Sequence, residues 1–447
     1  MQIGESHLGN YLIVRPVGRL DNGTSAAFQS RLVRILRSAT TDIIVDFTGV
    51  EYVSSAGLRA LMNASRQKPA DRRMAVVAPS TIVQEIFTIS RFHEVIPIFA
   101  SIEAATAAWE GRAAPASARR RRSGAPAVIP VRFWGTRGSL PAPLNHKSVR
   151  QKIRDALMAA RGHNLTTAEQ IDGFIEHDLS FSIHGTFGGN TSCVELVTGG
   201  DEYLLCDLGT GVREFGNHVL ARHRPGQPHC FNIFLSHVHW DHIMGFPFFT
   251  PAYIPGNRIR IHGCHKTLRE AMVRQQSSPC FPVLFEALGA TIEFVELEPG
   301  VEYEVAGFKV TPIRQFHEGE SYGYRFTRNG KTIIYSTDCE HKASVLDASY
   351  PFVEFFRNAD LLIFDSMYSL ADTVSVKEDW GHSSNIVAVE LAQLAEVKRL
   401  VLFHHEPAFD DSRIERVFAE TIRYEEISRE DHKVEVISAY DGLEIAI

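Results

Sequence analysis

Four metal-ligand side chains fall within six positions of this sequence, directly behind an apolar strand. In FNIFLSHVHWDHIMGFP, Asn232–Leu235 reads as a buried strand, and His237-x-His239-x-Asp241-His242 begins after one further residue. A strand end sets a loop at the rim of a sheet, where ligands converge. Two imidazoles two residues apart can face one ion as the backbone turns. The Asp-His pair behind them can reach a second ion. Imidazole and carboxylate together suit zinc, with manganese or iron as alternatives.

More groups of the same kind follow other apolar runs. His317 stands behind KVTPIRQF, Asp338 behind TIIYST and His404 behind RLVLF. A carboxylate lying between two ions can bridge them, and Asp338 suits that place. A lone histidine of this sort would be ordinary. Their shared position after strands reads as one site.

The rest of the chain divides around one break. Residues 111–127, GRAAPASARRRRSGAPA, are rich in Ala, Pro, Gly and Ser and carry the run Arg119–Arg122. This is the composition of a flexible interdomain linker. The arginines are either a solvated stretch or a contact for an acidic partner. A chain of 447 residues suits two or three domains.

Residues 1–110 form the first. Strands are expected at Tyr11–Pro16, Asp42–Phe47, Met74–Val77 and Val95–Phe99. Helices are expected at Ser25–Ser38, from Ser55, at Ile82–Thr88 and at Ile102–Trp109. Alternation of this kind gives a small α/β domain. Residues 128–447 are strand-rich, with helices at 383–396 and 411–429, and suggest two packed sheets flanked by helices. Within them, residues near 147–180 carry two helical patterns and read as an inserted lid. The six cysteines form no CxxC pair, the N-terminus is polar, and no apolar run reaches 18 residues. A cytoplasmic protein with reduced thiols and no membrane span is expected. The net charge of −7 disfavours general nucleic-acid binding.

The histidine motif resembles the signature of the metallo-β-lactamase superfamily, and residues 129–447 resemble its phosphodiesterase branch, which includes ribonuclease Z and cyclic-phosphate phosphodiesterases. His317 ahead of SYGYRF, Asp338 in YSTDCE, Gly381-His382-Ser383 and His404 in VLFHHEP all match elements of that branch. The resemblance implies an αββα sandwich with two divalent ions at one edge. It assigns His237, His239, His317 and Asp338 to one ion, and Asp241, His242, Asp338 and His404 to the other. His404 is preferred to His405 as the last ligand. Asp207 in YLLCDLGTG is expected to support the metal loop from behind. His382 is expected to assist at the scissile phosphate, with Asp241 as the second catalytic group. The turns Gly135–Pro141 and Gly188–Cys193 resemble opening elements of the branch and bring Arg137 and Asn190 near the site. Ser278–Pro282 is expected to wall an apolar pocket.

The β-lactamase branch usually carries cysteine where Asp338 stands, and flavodiiron proteins glutamate where His239 stands. The expected reaction is hydrolysis of a small cyclic nucleotide or cyclic phosphate. Alternatives are a ribonuclease Z-like RNA endonuclease, a thioesterase or lactonase on the same centre, or a binding protein of anti-sigma-antagonist type.

In the first domain, IIVDFTGVEYVSSAGLRALM resembles the STAS domain of sulfate transporters and anti-sigma-factor antagonists. That family's motif carries a phosphoacceptor serine, which aligns with Ser55, while Ser54 stands where the motif has aspartate. The resemblance implies a protein partner or kinase and control of the hydrolase.

Overall fold

The computed structural model describes all residues except 1, 21–22, 54, 70–71, 81–82, 85–86, 88–95, 110–127, 223–226, 342–348, 369–380 and 430. The expected linker 111–127, Ser54, and most of the expected helix Ile82–Thr88 lie outside the described residues. The chain divides into two compact units, Met1–Arg122 and Ser123–Ile447.

The first unit is built from β1 (Gln2–Leu8), β2 (Tyr11–Leu20), α1 (Ser25–Ser38), β3 (Asp42–Asp46), β4 (Val50–Val53), α2 (Ser55–Ser65), β5 (Met74–Val77), β6 (Ile98–Phe99) and α3 (Ile102–Trp109). The sheet order is β1-β2-β3-β5-β6, with β4 on β2. β2, β3, β5 and β6 run parallel, and β1 pairs antiparallel with β2 at the edge. α1 buries Phe28, Leu32, Ile35 and Leu36, the one face that helical spacing predicts. The last strand is shorter than expected. Pro97 has no N–H to give the ladder, so pairing begins at Ile98.

The second unit is a four-layer α/β/β/α sandwich, the architecture the sequence resemblance implies. It runs β7 (Pro130–Gly135), α4 (His146–Ala159), α5 (Ala168–His177), α6 (Phe181–His184), β8 (Cys193–Leu196), β9 (Glu202–Cys206), α7 (Val212–Arg222), β10 (Cys230–Phe234), α8 (Trp240–Ile243), β11 (Arg258–Gly263), α9 (Leu268–Gln275) and β12 (Thr291–Glu296). It continues with β13 (Tyr303–Val305), β14 (Phe308–Gln315), β15 (Ser321–Arg328), β16 (Lys331–Ser336), α10 (Pro351–Phe356), β17 (Leu361–Asp365), α11 (Asn385–Leu394), β18 (Arg399–Phe403), α12 (Asp411–Ser428), β19 (Glu435–Ser438) and β20 (Glu444–Ala446).

Two seven-stranded sheets result, in orders β12-β11-β10-β9-β8-β7-β20 and β13-β14-β15-β16-β17-β18-β19. Phe133, Phe234, Phe308, Tyr324, Tyr335 and Phe403 fill the space between them. α7 and α9 cover the outer face of one sheet, and α10 and α11 that of the other. β17 is buried at all five positions and β18 at its last four. Such continuous apolar runs are what parallel strands covered on both faces require.

β9 to β12 are parallel, as are β16 to β19, and β14 runs in the same sense as β16. Their carboxyl ends therefore open on common edges, which fixes where loop side chains can meet. Among the described residues, no helix is long and apolar enough to cross a membrane. Three of the six cysteines are buried and Cys280 is exposed, and all six are free.

Candidate metal centre

Five of the ligand-type residues singled out in the sequence each sit just past a different strand's carboxyl end. Asp207 follows β9, His237 follows β10, His317 follows β14, Asp338 follows β16 and His404 follows β18. Turning the chain sharply there puts Asp207, Asp338 and His404 at φ values of 62°, 46° and 62°. Left-handed backbone at non-glycine residues costs about 1 kcal/mol or more each and persists where packing over-determines it.

The donor atoms converge. His242 Nε2 lies 3.3 Å from His404 Nε2 and 3.2 Å from both Asp241 Oδ2 and Asp338 Oδ1. His404 Nε2 also lies 3.2 Å from each of those two oxygens. On the other side, His239 Nδ1 stands 3.2 Å from His317 Nε2. Asp338 Oδ2 lies 3.5 Å from His237 Nε2 and 3.8 Å from His317 Nε2. Asp338 thus turns one oxygen to each group of imidazoles. Four overlapping groups have donor atoms within 4.8 Å of one another: His237-His239-His317 and Asp241-His242-Asp338-His404, and two that take in His382, His317-Asp338-His382 and Asp365-His382-His404.

This set fits divalent ions. Ligand atoms about 2.1 Å from a tetrahedral ion are separated by roughly 3.3 Å, the spacing seen between these nitrogens and oxygens. His237 Nε2 is buried with no hydrogen-bond partner, a costly state for an isolated imidazole. The outer nitrogens are committed elsewhere: His242 Nδ1 donates to Asp207 Oδ2 at 2.7 Å, and His317 Nδ1 to the Gly381 carbonyl at 2.8 Å. Both imidazoles therefore offer lone pairs inward at Nε2. Burial, reinforced by His242, holds His237 well below the usual histidine range. Burial opposes charge on Asp338, but His404, His242 and His237 around it hold its carboxyl well down. Burial opposes charge on His242 too, yet Asp338, Asp241 and Asp207 raise it well up. Such a field of buried carboxylates favours cations.

Close supports complete the cage. Asp207 also accepts from Ser236 N, Ser236 Oγ and the Tyr335 hydroxyl, each at 2.7 Å. Ser139 N donates to Asp241 Oδ2 at 2.7 Å. Gly381 has φ 83°, and a Cβ there would stand 2.4 Å from His317 Nδ1, so only glycine brings its carbonyl to that ring. A Cβ on Gly138 would meet His404 Cε1 at 2.5 Å.

His382 lies beside the donors, its ring centroid 5.1 Å from that of His404 and 5.2 Å from that of His317. Its Nδ1 is 2.8 Å from Asp365 Oδ2. Burial pulls the imidazolium down, but Asp365 outweighs it and pushes His382 up to about 9. Asp365 was not singled out in the sequence. Its signal was there, since LLIFD is another apolar strand ending in a ligand-type residue. His405 points away, with Nε2 2.9 Å from the Ala439 carbonyl.

Arg137 requires a correction. Its turn lies over His404, but its buried guanidinium donates to the carbonyls of Gly188, Glu406 and Phe409 and lies 3.8 Å from Asp411. It clamps loops and does not face the donor cluster. Asn190 Oδ1 accepts from Thr210 Oγ1, and Asn190 lines a groove of about 440 Å³ with Pro141, Pro143, Thr210, Arg213 and Phe248. Pro141 shares the Ser139 turn that holds Asp241. Phe281, from the expected apolar wall Ser278–Pro282, packs edge-on against Phe248. Trp240 and Phe316, each next to a candidate ligand histidine, are 73% and 60% exposed. In the first unit, Ser55 opens α2, and Asp46 accepts from Arg15 Nε at 3.0 Å and from Thr48 Oγ1 at 2.6 Å.

Residues 202–405 match the family described as a beta-lactamase superfamily domain, and residues 5–105 match the STAS domain. A ribonuclease Z of Methanosarcina acetivorans is 28% identical over 268 residues, covering 47% of this chain and 80% of that protein. The metallo-beta-lactamase fold protein YhfI from Bacillus subtilis aligns with 72% of this chain and 99% of its own at 18% identity and a TM-score of 0.47. An anti-sigma factor antagonist from Mycobacterium paratuberculosis aligns with 24% of this chain and 92% of its own at 17% identity and a TM-score of 0.23.

Proposed function

Since the chain joins an N-terminal STAS domain to a hydrolase domain of the metallo-β-lactamase superfamily, we propose that it is a dinuclear phosphodiesterase acting on a small cyclic nucleotide or cyclic phosphate. The observation that carries this reading is the pairing of two adjoining donor sets with the Asp365-held His382 beside them. His237, His239, His317 and Asp338 would hold one ion, and Asp241, His242, Asp338 and His404 the other, with zinc preferred over manganese or iron for this nitrogen-rich set. Bound divalent ions supply Lewis acidity, lowering the pKa of water and offsetting charge on phosphoryl oxygens.

The chain's own groups do the rest. Asp365 fixes the His382 ring through Nδ1, so Nε2 is the atom that presents a proton to the leaving oxygen. The Ser139 N–H holds Asp241 in one rotamer, and Asp207 holds His242. The groove beside the centre, of about 440 Å³, is of a size that takes a nucleoside. Trp240 and Phe316 offer exposed aromatic faces on which a base can stack.

A second reading, RNA endonuclease activity, is supported by relatives named ribonuclease Z that align over four-fifths of their length. The test is a panel of cyclic nucleotides, precursor tRNA, bis-p-nitrophenyl phosphate and thioesters given to metal-loaded protein. The cyclic phosphodiesters should give the highest kcat/KM. A higher value on precursor tRNA would establish the second reading, and turnover of thioesters alone would remove both. The STAS domain is proposed as the input. A phosphate on Ser55 would place about −1.5 to −2 charges at the N-terminus of α2. Phosphorylation of the Ser55→Ala protein equal to wild type would remove that assignment.

A further inference from the structure

The helical insertion leaves apolar surface uncovered. α4 is a 14-residue helix in which no residue is buried, and α5 buries only Phe174. Val149, Ile153 and Leu157 form a stripe along α4, with Leu157 67% exposed. Ile171 and Ile175 form a shorter stripe on α5. Each stripe is flanked by charge of one sign: Lys147, Arg150 and Arg154 on α4, Asp172 and Glu176 on α5. None of these five charged side chains has an ion-pair partner among the described residues.

At 3.6 residues per turn, both charged rows lie on the same rotational side of their apolar stripes. When two helices pack face to face and antiparallel, flanks on the same rotational side meet. When they pack parallel, those flanks fall on opposite sides. Antiparallel packing of α4 against α5 therefore seals both stripes and sets the basic row against the acidic one. Within one chain the two helices leave these faces open. A second copy supplies the complement, because two-fold symmetry makes the pairing twice, α4 on α5 and α5 on α4.

We propose that the insertion is a self-association surface, on which a second copy of this chain docks through antiparallel α4–α5 pairs. The surface is tied to the metal centre. Lys152 anchors α4 to Asp411 at 2.6 Å and to the carbonyls of Gly185, at 2.8 Å, and Ser182. The insertion leaves from the Ser139–Pro143 turn and returns at Gly188–Asn190, the two walls of the groove. Docking of a second copy stiffens both.

Sedimentation velocity of the full chain across the micromolar range tests this. The wild type should form a dimer. The reversals Arg150→Glu/Arg154→Glu and Asp172→Lys/Glu176→Lys should each raise the dissociation constant by about tenfold or more, and combining all four should restore it. The combined variant guards against a folding defect, since it keeps both reversals in one chain, and far-UV circular dichroism checks each protein. A monomeric wild type, a dimer indifferent to either reversal, or no restoration in the combined variant would overturn the proposal. So would binding to phosphatidylserine vesicles or single-stranded RNA that the α4 reversal abolishes and the α5 reversal leaves intact, with no dimer formed.

Discussion

At the scale of single residues, Asp365 is the group whose replacement separates metal binding from proton delivery. It touches His382 Nδ1 and the amides of Cys339 and Met367. Asp365→Asn should leave metal content intact and lower kcat by about ten- to a hundredfold, with KM nearly unchanged. Steady-state kinetics alongside metal analysis checks this, and equal loss of metal would assign Asp365 to the cage instead. Asp441 makes a second residue-level prediction. Burial pushes its carboxyl up to about 6, although the Asn190 and Gly189 amides and the Thr136 hydroxyl pull it down. The native state thus prefers the protonated form. Its contribution is fully present below the unfolded pKa and is lost as pH rises through about 6. Gly189 N and Asn190 N both donate to Asp441 Oδ2 at 3.0 Å, and an asparagine carbonyl at that position can accept them without carrying a buried charge. Asp441→Asn should therefore be more stable than wild type by roughly 1–2 kcal/mol at about pH 8, with the difference shrinking towards about pH 5. Thermal unfolding against pH reads it directly.

At the scale of elements, strand ends explain why the site was so legible. Each candidate donor loop follows an apolar run, and apolar runs are what sequence periodicity reveals best. Helices with one apolar face, such as α1, were equally plain. β1 was not, because QIGESHL is mostly exposed and draws its place from pairing with β2. β4 is only four residues long and pairs across a register shift, which no local pattern announces. Arg137 was misjudged for a related reason. Proximity along the chain places its turn, but its side-chain direction depends on carbonyls some 270 residues away. The same region yields an element-scale prediction. Asp411, in the first turn of α12, pairs with Lys152 and Arg137 and accepts from Phe187 N at 2.9 Å. Asp411→Asn leaves a buried guanidinium unpaired and should cost about 3 kcal/mol or more in urea unfolding. Amide hydrogen exchange should rise across α4 to α6, and an unchanged pattern there would mean that the clamp does not hold the insertion.

For the whole molecule, the two units have separate cores, one around Phe28, Phe47 and Phe87, the other between the large sheets. Cores that share no side chains melt separately unless an interface couples them. Calorimetry should show two transitions, of which chelation of metal lowers only the one belonging to the hydrolase unit. Two shifted transitions would reveal energetic coupling between the units. The central claim is that the seven converging donors hold divalent ions that drive phosphodiester hydrolysis. The most direct measurement is metal content by mass spectrometry, paired with bis-p-nitrophenyl phosphate turnover, for the full chain and its Asp338→Asn variant. About two equivalents of metal per chain are predicted in the wild type, with turnover lost on chelation and regained on reloading, and both falling sharply in the variant. A wild-type protein that takes up no metal, or that takes it up and leaves the phosphodiester intact, would contradict the account.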